Sequence, residues 1–215
     1  IMIGLIKKDV LLMQSYLKNL LLITAIFSGL SLINENYSFL AVSLPCMFSI
    51  LCFTLISYDD YYHWDAYSLT LPIDSKDSVR SKYIVSTCLL AFGTILGTAL
   101  SFAVITVKDL SVPGKEVFLT AFAGFFTASV LMSLMYPIAY RFGTEKGRFV
   151  IFGIFAGISI FIVLLGKTLM NTTLRLQSIA DFFTGSGKYL LIPLILIIIS
   201  VSYCISCKIF TRKEY

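Results

Sequence analysis

The sequence predicts an all-α integral membrane protein: one bundle of six transmembrane helices, with an amphipathic helix ahead of the first. Three observations predict it. First, 58% of the 215 residues are hydrophobic and only 13% are charged, whereas an ordinary soluble domain is about a quarter charged. Second, six apolar runs lie at residues 19–33, 38–57, 83–107, 117–140, 149–166 and 189–207, and a spanning helix needs about 17–25 apolar residues. Third, the 17 basic and 12 acidic residues all fall outside those runs. A chain of this length and composition makes a single transmembrane domain over residues 1–215.

Residues 1–18 form the amphipathic element. Ile3, Leu5, Ile6, Val10, Leu11, Met13 and Tyr16 or Leu17 recur with a period near 3.6, interrupted by Lys7, Lys8 and Asp9. That pattern suits a helix lying in the membrane interface, the alternative being a plain extension of the first span. No small-residue cleavage site follows the apolar stretch, so no cleavable signal peptide is expected, and Met2 reads as the native start. The first run, 19–33, is short for a span and reaches full length by borrowing Tyr16–Lys18, whose lysine can snorkel. The other five runs are long enough as they stand.

Orientation follows from the cations. Segments 1–18, 58–82, 141–148 and 208–215 hold 12 of the 17 Lys and Arg residues. The positive-inside rule therefore puts both termini and the loop 58–82 in the cytoplasm of a multi-pass protein of the cell membrane. The net charge of +5 sits at membrane flanks and implies no nucleic-acid partner. Gly93-x-x-x-Gly97 in the third span and Gly153-x-x-x-Gly157 in the fifth are helix-packing pairs. Either serves packing inside the bundle or an interface with a second subunit. Pro137 is expected to kink or end the fourth span. In the segment 166–188, Thr172 or Thr173 can cap a short helix running to about Phe183, followed by a turn at Gly185–Gly187.

Much chemistry is excluded. Ion-coupled carriers use ionisable groups inside the membrane, and an intramembrane enzyme would want carboxylates, histidines or a paired nucleophile there; the runs contain none. Cys204-x-x-Cys207 lacks two further ligands for zinc, the only histidine being His63, and the five cysteines read as small apolar helix residues. Gly166-Lys167-Thr168 resembles the end of a phosphate loop, but Phe161 stands where that motif needs glycine. No cofactor is expected, and energy for any work must come from another subunit.

The longest polar stretch is Ser57–Tyr83. It carries five aspartates, three cations and the only His and Trp. Asp74 and Asp77, just after Pro72, signal a third helix starting near Ser75. The run Asp60–Leu71 can form a short helix with Tyr61, Trp64, Tyr67 and Leu71 on one face. Exposed aromatics among acids make a docking surface; the plainer reading is an interfacial aromatic belt.

These residues carry a resemblance. The pair Asp59-Asp60, Trp64-x-x-Tyr67, Leu71-Pro72-Ile73 and Ser81-Lys82-Tyr83-Ile84, with Gly4-Leu5-Ile6-Lys7-Lys8-Asp9, resemble the permease subunits of bacterial ABC-2 type exporters. The nearest branch is that of the exporters of phenol-soluble modulins, amphipathic peptide toxins. The resemblance implies six spans, cytoplasmic termini and a coupling helix in loop 58–82 that seats on a separate ABC ATPase, which binds ATP and magnesium. It also implies a second permease, identical or sibling, and an amphipathic or hydrophobic peptide cargo moving through lipid. Asp60, Trp64, Asp65, Tyr67, Leu71 and Pro72 are the expected coupling residues. Export of a drug or antimicrobial peptide for self-protection, or a membrane anchor or sensor that moves nothing, are the alternative functions.

Overall fold

The computed structural model describes residues 2–64, 67, 74–169 and 188–211. Seven α-helices occupy them: α1 (Met2–Gln14), α2 (Leu17–Asn34), α3 (Tyr37–Tyr61), α4 (Ser75–Val107), α5 (Gly114–Phe142), α6 (Thr144–Leu169) and α7 (Lys188–Thr211). Each apolar run lies within one of α2 to α7. The segment around Thr172–Phe183 and the turn at Gly185–Gly187 lie outside the described residues.

Among the described residues, α3, most of α4, α5 and Ile192–Thr211 of α7 are each long and apolar enough to cross a membrane. A fifth crossing is added if α1 and α2, bent by 60° at the break between them, count as one span. The bend explains why run 19–33 looks short: the chain turns at Tyr16 instead of continuing straight from α1.

α3 is the central helix. It packs most extensively on α4 and α5, with α2 and α6 at its sides, while α5 also carries α6 and α7. Leu40, Leu44, Phe48 and Cys52 recur every fourth residue and are almost wholly buried, which gives α3 one stripe facing the core. Leu90 of α4 and Ala128, Met132 and Tyr136 of α5 close on the lower part of that stripe. The helices approach closely where side chains are absent. A Cβ on Gly97 would stand 2.9 Å from the Leu40 carbonyl oxygen, and one on Gly93 would strike the Phe48 ring. The sharpest approach is at Gly124 of α5, against the Ala41 carbonyl oxygen.

In lipid, polar groups must find partners inside the bundle. Hydroxyls do so along a buried seam between α4, α5 and α7. Tyr83 is hydrogen-bonded to Ser202 (2.6 Å) and Ser206 (2.9 Å), Ser202 donates to the Ser133 carbonyl (2.7 Å), and Ser86 pairs with Tyr136. Tyr83 and Tyr136 also meet edge to face with ring centroids 4.9 Å apart.

The connections are short. Asn36 caps α3 by accepting from the Phe39 N–H at 3.3 Å, and Asp74 holds the N-cap position of α4, so that helix starts at Ser75 as its acids suggest. α5 does not end at Pro137: it continues through the proline to Phe142. It stops at Gly143, whose φ of +73° suits a residue without a side chain.

Candidate functional site

The polar end of the bundle, where α1, the end of α3, the start of α4 and the α5–α6 turn meet, gathers most of the chemistry. α1 delivers Lys8 and Asp9, α3 delivers Asp59, and α4 delivers Lys82. The Lys82 Nζ lies 2.7 Å from Asp9 Oδ1 and 2.7 Å from Asp59 Oδ2. The Lys8 Nζ lies 2.7 Å from Asp59 Oδ1 and 3.5 Å from Asp9 Oδ1. The side chains of Asp9, Lys82 and Asp59 are only 1%, 4% and 9% exposed; Lys8 keeps 22%. Two cations face two carboxylates, so the set is neutral. That neutrality is what permits charges to be taken out of water.

Sequence reasoning missed this cluster. Its members lie in two separate polar stretches, and the pairs between them span 51 and 73 residues. One signal was present. Leu5, Asp9 and Met13 fall at steps of four and are the buried residues of α1. An acid in the middle of a buried stripe requires a buried partner. The opposite side of α1 exposes Ile3, Val10 and Leu11. Lys8 and Asp9 thus face the protein, while Lys7 and part of the apolar surface of α1 face outward.

Of the expected coupling residues, Trp64 is half-buried. The Lys8 ammonium sits 4.0 Å from its ring centroid, a cation–π contact, and Tyr67 packs against it at 5.5 Å. Tyr67 itself is exposed, as are Tyr61 and Tyr62. α3 runs on through Tyr61, and His63 then takes a left-handed turn with φ +50°, so Tyr61 and Trp64 do not share one continuous helix. Asp65, Leu71 and Pro72 lie outside the described residues.

Asp60 does something local sequence could not reveal. Its Oδ2 accepts from the Thr144 backbone N–H at 2.8 Å and from the Thr144 hydroxyl at 3.1 Å. Thr144 is the first residue of α6, whose opening N–H groups have no partner in the helix. A carboxylate there also suits the positive helix end. The carboxylate of α3 thus caps α6 across 84 residues of chain. Asp60→Ala should cost about 1 kcal/mol, as loss of an N-cap does, and Asp60→Asn less because an acceptor remains. Thermal unfolding of the purified protein checks this; equal midpoints for Ala and wild type would remove the cap from the account.

Between Tyr58–His63 and the turn Phe142–Arg148 opens a cleft of about 800 Å³, with Thr54 and Ser57 in its lining. Tyr58 stacks with Tyr62 along it, ring centroids 6.1 Å apart. The cleft joins aromatic walls to the exposed cations Lys146 and Arg148. These groups can bind and hold a partner. Among the described residues, no three His, Cys, Asp or Glu side chains gather as metal ligands.

The two glycine pairs separate. Gly93 and Gly97 are occupied by α3. Among the described residues, a Cβ at Gly153 or Gly157 would meet nothing within 4 Å, and Phe149 and Phe152 beside them are 81% and 72% exposed.

The family model described as ABC-2 family transporter protein matches residues 4–211 of this chain. No curated protein shows a significant match.

Proposed function

Because the chain belongs to the ABC-2 transporter family, whose members are multi-pass membrane components working with an ATPase subunit, we propose that it is the permease half of an ATP-driven exporter of amphipathic peptides. On this reading six helices cross the membrane, α6 included, and both termini lie in the cytoplasm with most of the cations. A separate ABC ATPase binds ATP and magnesium and docks on the loop after α3, where the expected coupling residues lie.

The observation that carries the reading is the aromatic surface at the polar end. Tyr61, Tyr62 and Tyr67 are 76%, 66% and 56% exposed, beside a segment clamped by Lys8 on one side and through Asp60 on the other. Exposed aromatics on a firmly held segment are the material of a docking hot spot. The charge-free spans suit an amphipathic or hydrophobic cargo better than an ionic one. The glycine face of α6, which no described residue covers, supports a second permease, identical or sibling, packing there.

The test is co-purification of the permease with a co-expressed ATPase, and transport by the complex. Tyr67→Ala should leave membrane insertion intact, since no span is touched. A truncated hot-spot aromatic costs about 2 kcal/mol, so ATPase affinity should fall roughly thirtyfold. Wild-type affinity in both Tyr61→Ala and Tyr67→Ala would move the docking site elsewhere, to the turn 141–148 first. A complex that binds ATPase but never moves peptide would favour a different cargo or an anchoring role.

A further inference from the structure

A buried set of ion pairs is a costly way to hold an interfacial helix. An anchor that merely lay on the membrane would keep its charges in water. Here Asp9 is wholly buried on the inward side of α1 while Ile3, Val10 and Leu11 face outward. Apolar side chains of similar size would often hold such a contact as well or better. What the charges add is geometry: contacts at 2.7 Å between α1, α3 and α4 persist in one register and fail if any helix slides alone.

We infer that Lys8, Asp9, Asp59 and Lys82 form a joint that makes α1 a moving part of the coupling machinery, carrying displacement of the loop after α3 into α4. This rests on the reading that an ATPase acts on that loop. Lys8 is the hub. Its ammonium is 4.0 Å from the Trp64 ring, at the start of the loop, and 2.7 Å from Asp59 at the end of α3. Lys82 stands where α4 becomes apolar and holds both acids at once. A shift of Trp64 therefore reaches α4 through two successive ion pairs, with Asp9 tying α1 into the same set. Asp9 Oδ2 has no partner among the described residues, which leaves an acceptor open for a changed pairing as the helices move.

Lys8 is the member to alter, because it keeps some exposure and its loss leaves Lys82 paired with both acids. The experiment uses the permease–ATPase complex in liposomes, with a fluorescent amphipathic helical peptide as the cargo probe. Lys8→Met should move less peptide per ATP hydrolysed than wild type, a ratio that does not depend on how much complex assembles. A tenfold fall corresponds to about 1.4 kcal/mol of lost coupling. Lys8→Arg, which keeps the charge and the ring contact, should restore the ratio. A wild-type ratio in Lys8→Met overturns the joint. A second measurement needs no variant and no probe: hydrogen exchange of the native complex before and after trapping with ATP and vanadate. Residues 2–14 should change together with residues 75–85. A change in 75–85 without 2–14, or in neither while ATP is turned over, overturns the inference. A wild-type permease that brings down no ATPase overturns the permease reading as well, and the missing subunit tells the two failures apart.

Discussion

Lys82→Met is expected to lower the thermal unfolding midpoint of the detergent-purified protein by roughly 6–20 °C. The figure follows from removing one partner of a buried ionic set, about 3–5 kcal/mol, and from about 2–4 °C per kcal/mol for a chain of this size. The physical reason is specific. Lys82 is the one cation within 2.7 Å of both Asp9 and Asp59. Without it two carboxylates share a dry site with only Lys8 to balance them. Removing a matched pair should be milder. In Lys82→Met with Asp9→Asn, Lys8 and Asp59 still pair at 2.7 Å, so more than half of the loss should return. A single variant within about 2 °C of wild type would mean water reaches the set freely, since only solvated pairs are worth so little.

Gly124→Leu is expected to prevent the bundle from forming, seen as loss of the monodisperse peak in size-exclusion chromatography. Even Gly124→Ala should be clearly destabilised. Its Cβ would collide with the Ala41 carbonyl oxygen and stand 3.0 Å from the Val42 Cα. Both are backbone atoms of α3, which cannot rotate away as a side chain would. Overpacking typically costs about 1–3 kcal/mol even where neighbours can yield. Gly153→Leu and Gly157→Leu supply the contrast, because no described residue lies within 4 Å of either added Cβ. They should keep the peak and the midpoint, and weaken pairing between permeases if α6 forms that interface. A normal Gly124→Ala protein would show that α3 and α5 do not meet backbone to backbone.

Helix positions were readable in the sequence because lipid imposes a long, uninterrupted apolar pattern, and each of the six runs lies within a helix. The start of α4 was readable from Asp74 and Asp77, which are local signals. Crossing is another matter: the break at Tyr16 that bends α2 away from α1 left the first span ambiguous, since a 60° turn has no composition of its own. The site was legible only as a neighbourhood. The sequence singled out the polar stretch Ser57–Tyr83, but the partners of Asp59 and Asp60 come from α1, α4 and α6. No period or spacing links residues that far apart. Asp9 was the readable exception, and taking it merely as an interruption of the apolar period hid its meaning. The glycine pairs divided for a similar reason: identical spacing says that a helix can be approached, never by what.

The joint also has a consequence for how the protein is made. α1 leaves the ribosome before α4, so Asp9 cannot be buried until Lys82 exists, 73 residues later. At about 5–20 residues per second, synthesis of that stretch takes roughly 4–15 s. Throughout that interval α1 has no neutral site to enter, so it must wait at the membrane surface with its aspartate hydrated and its outward apolar residues touching lipid. Docking of α1 therefore follows synthesis of α4. A pulse-chase protease assay should find residues 2–14 cleavable in nascent chains ending before α4 and protected in chains that include it.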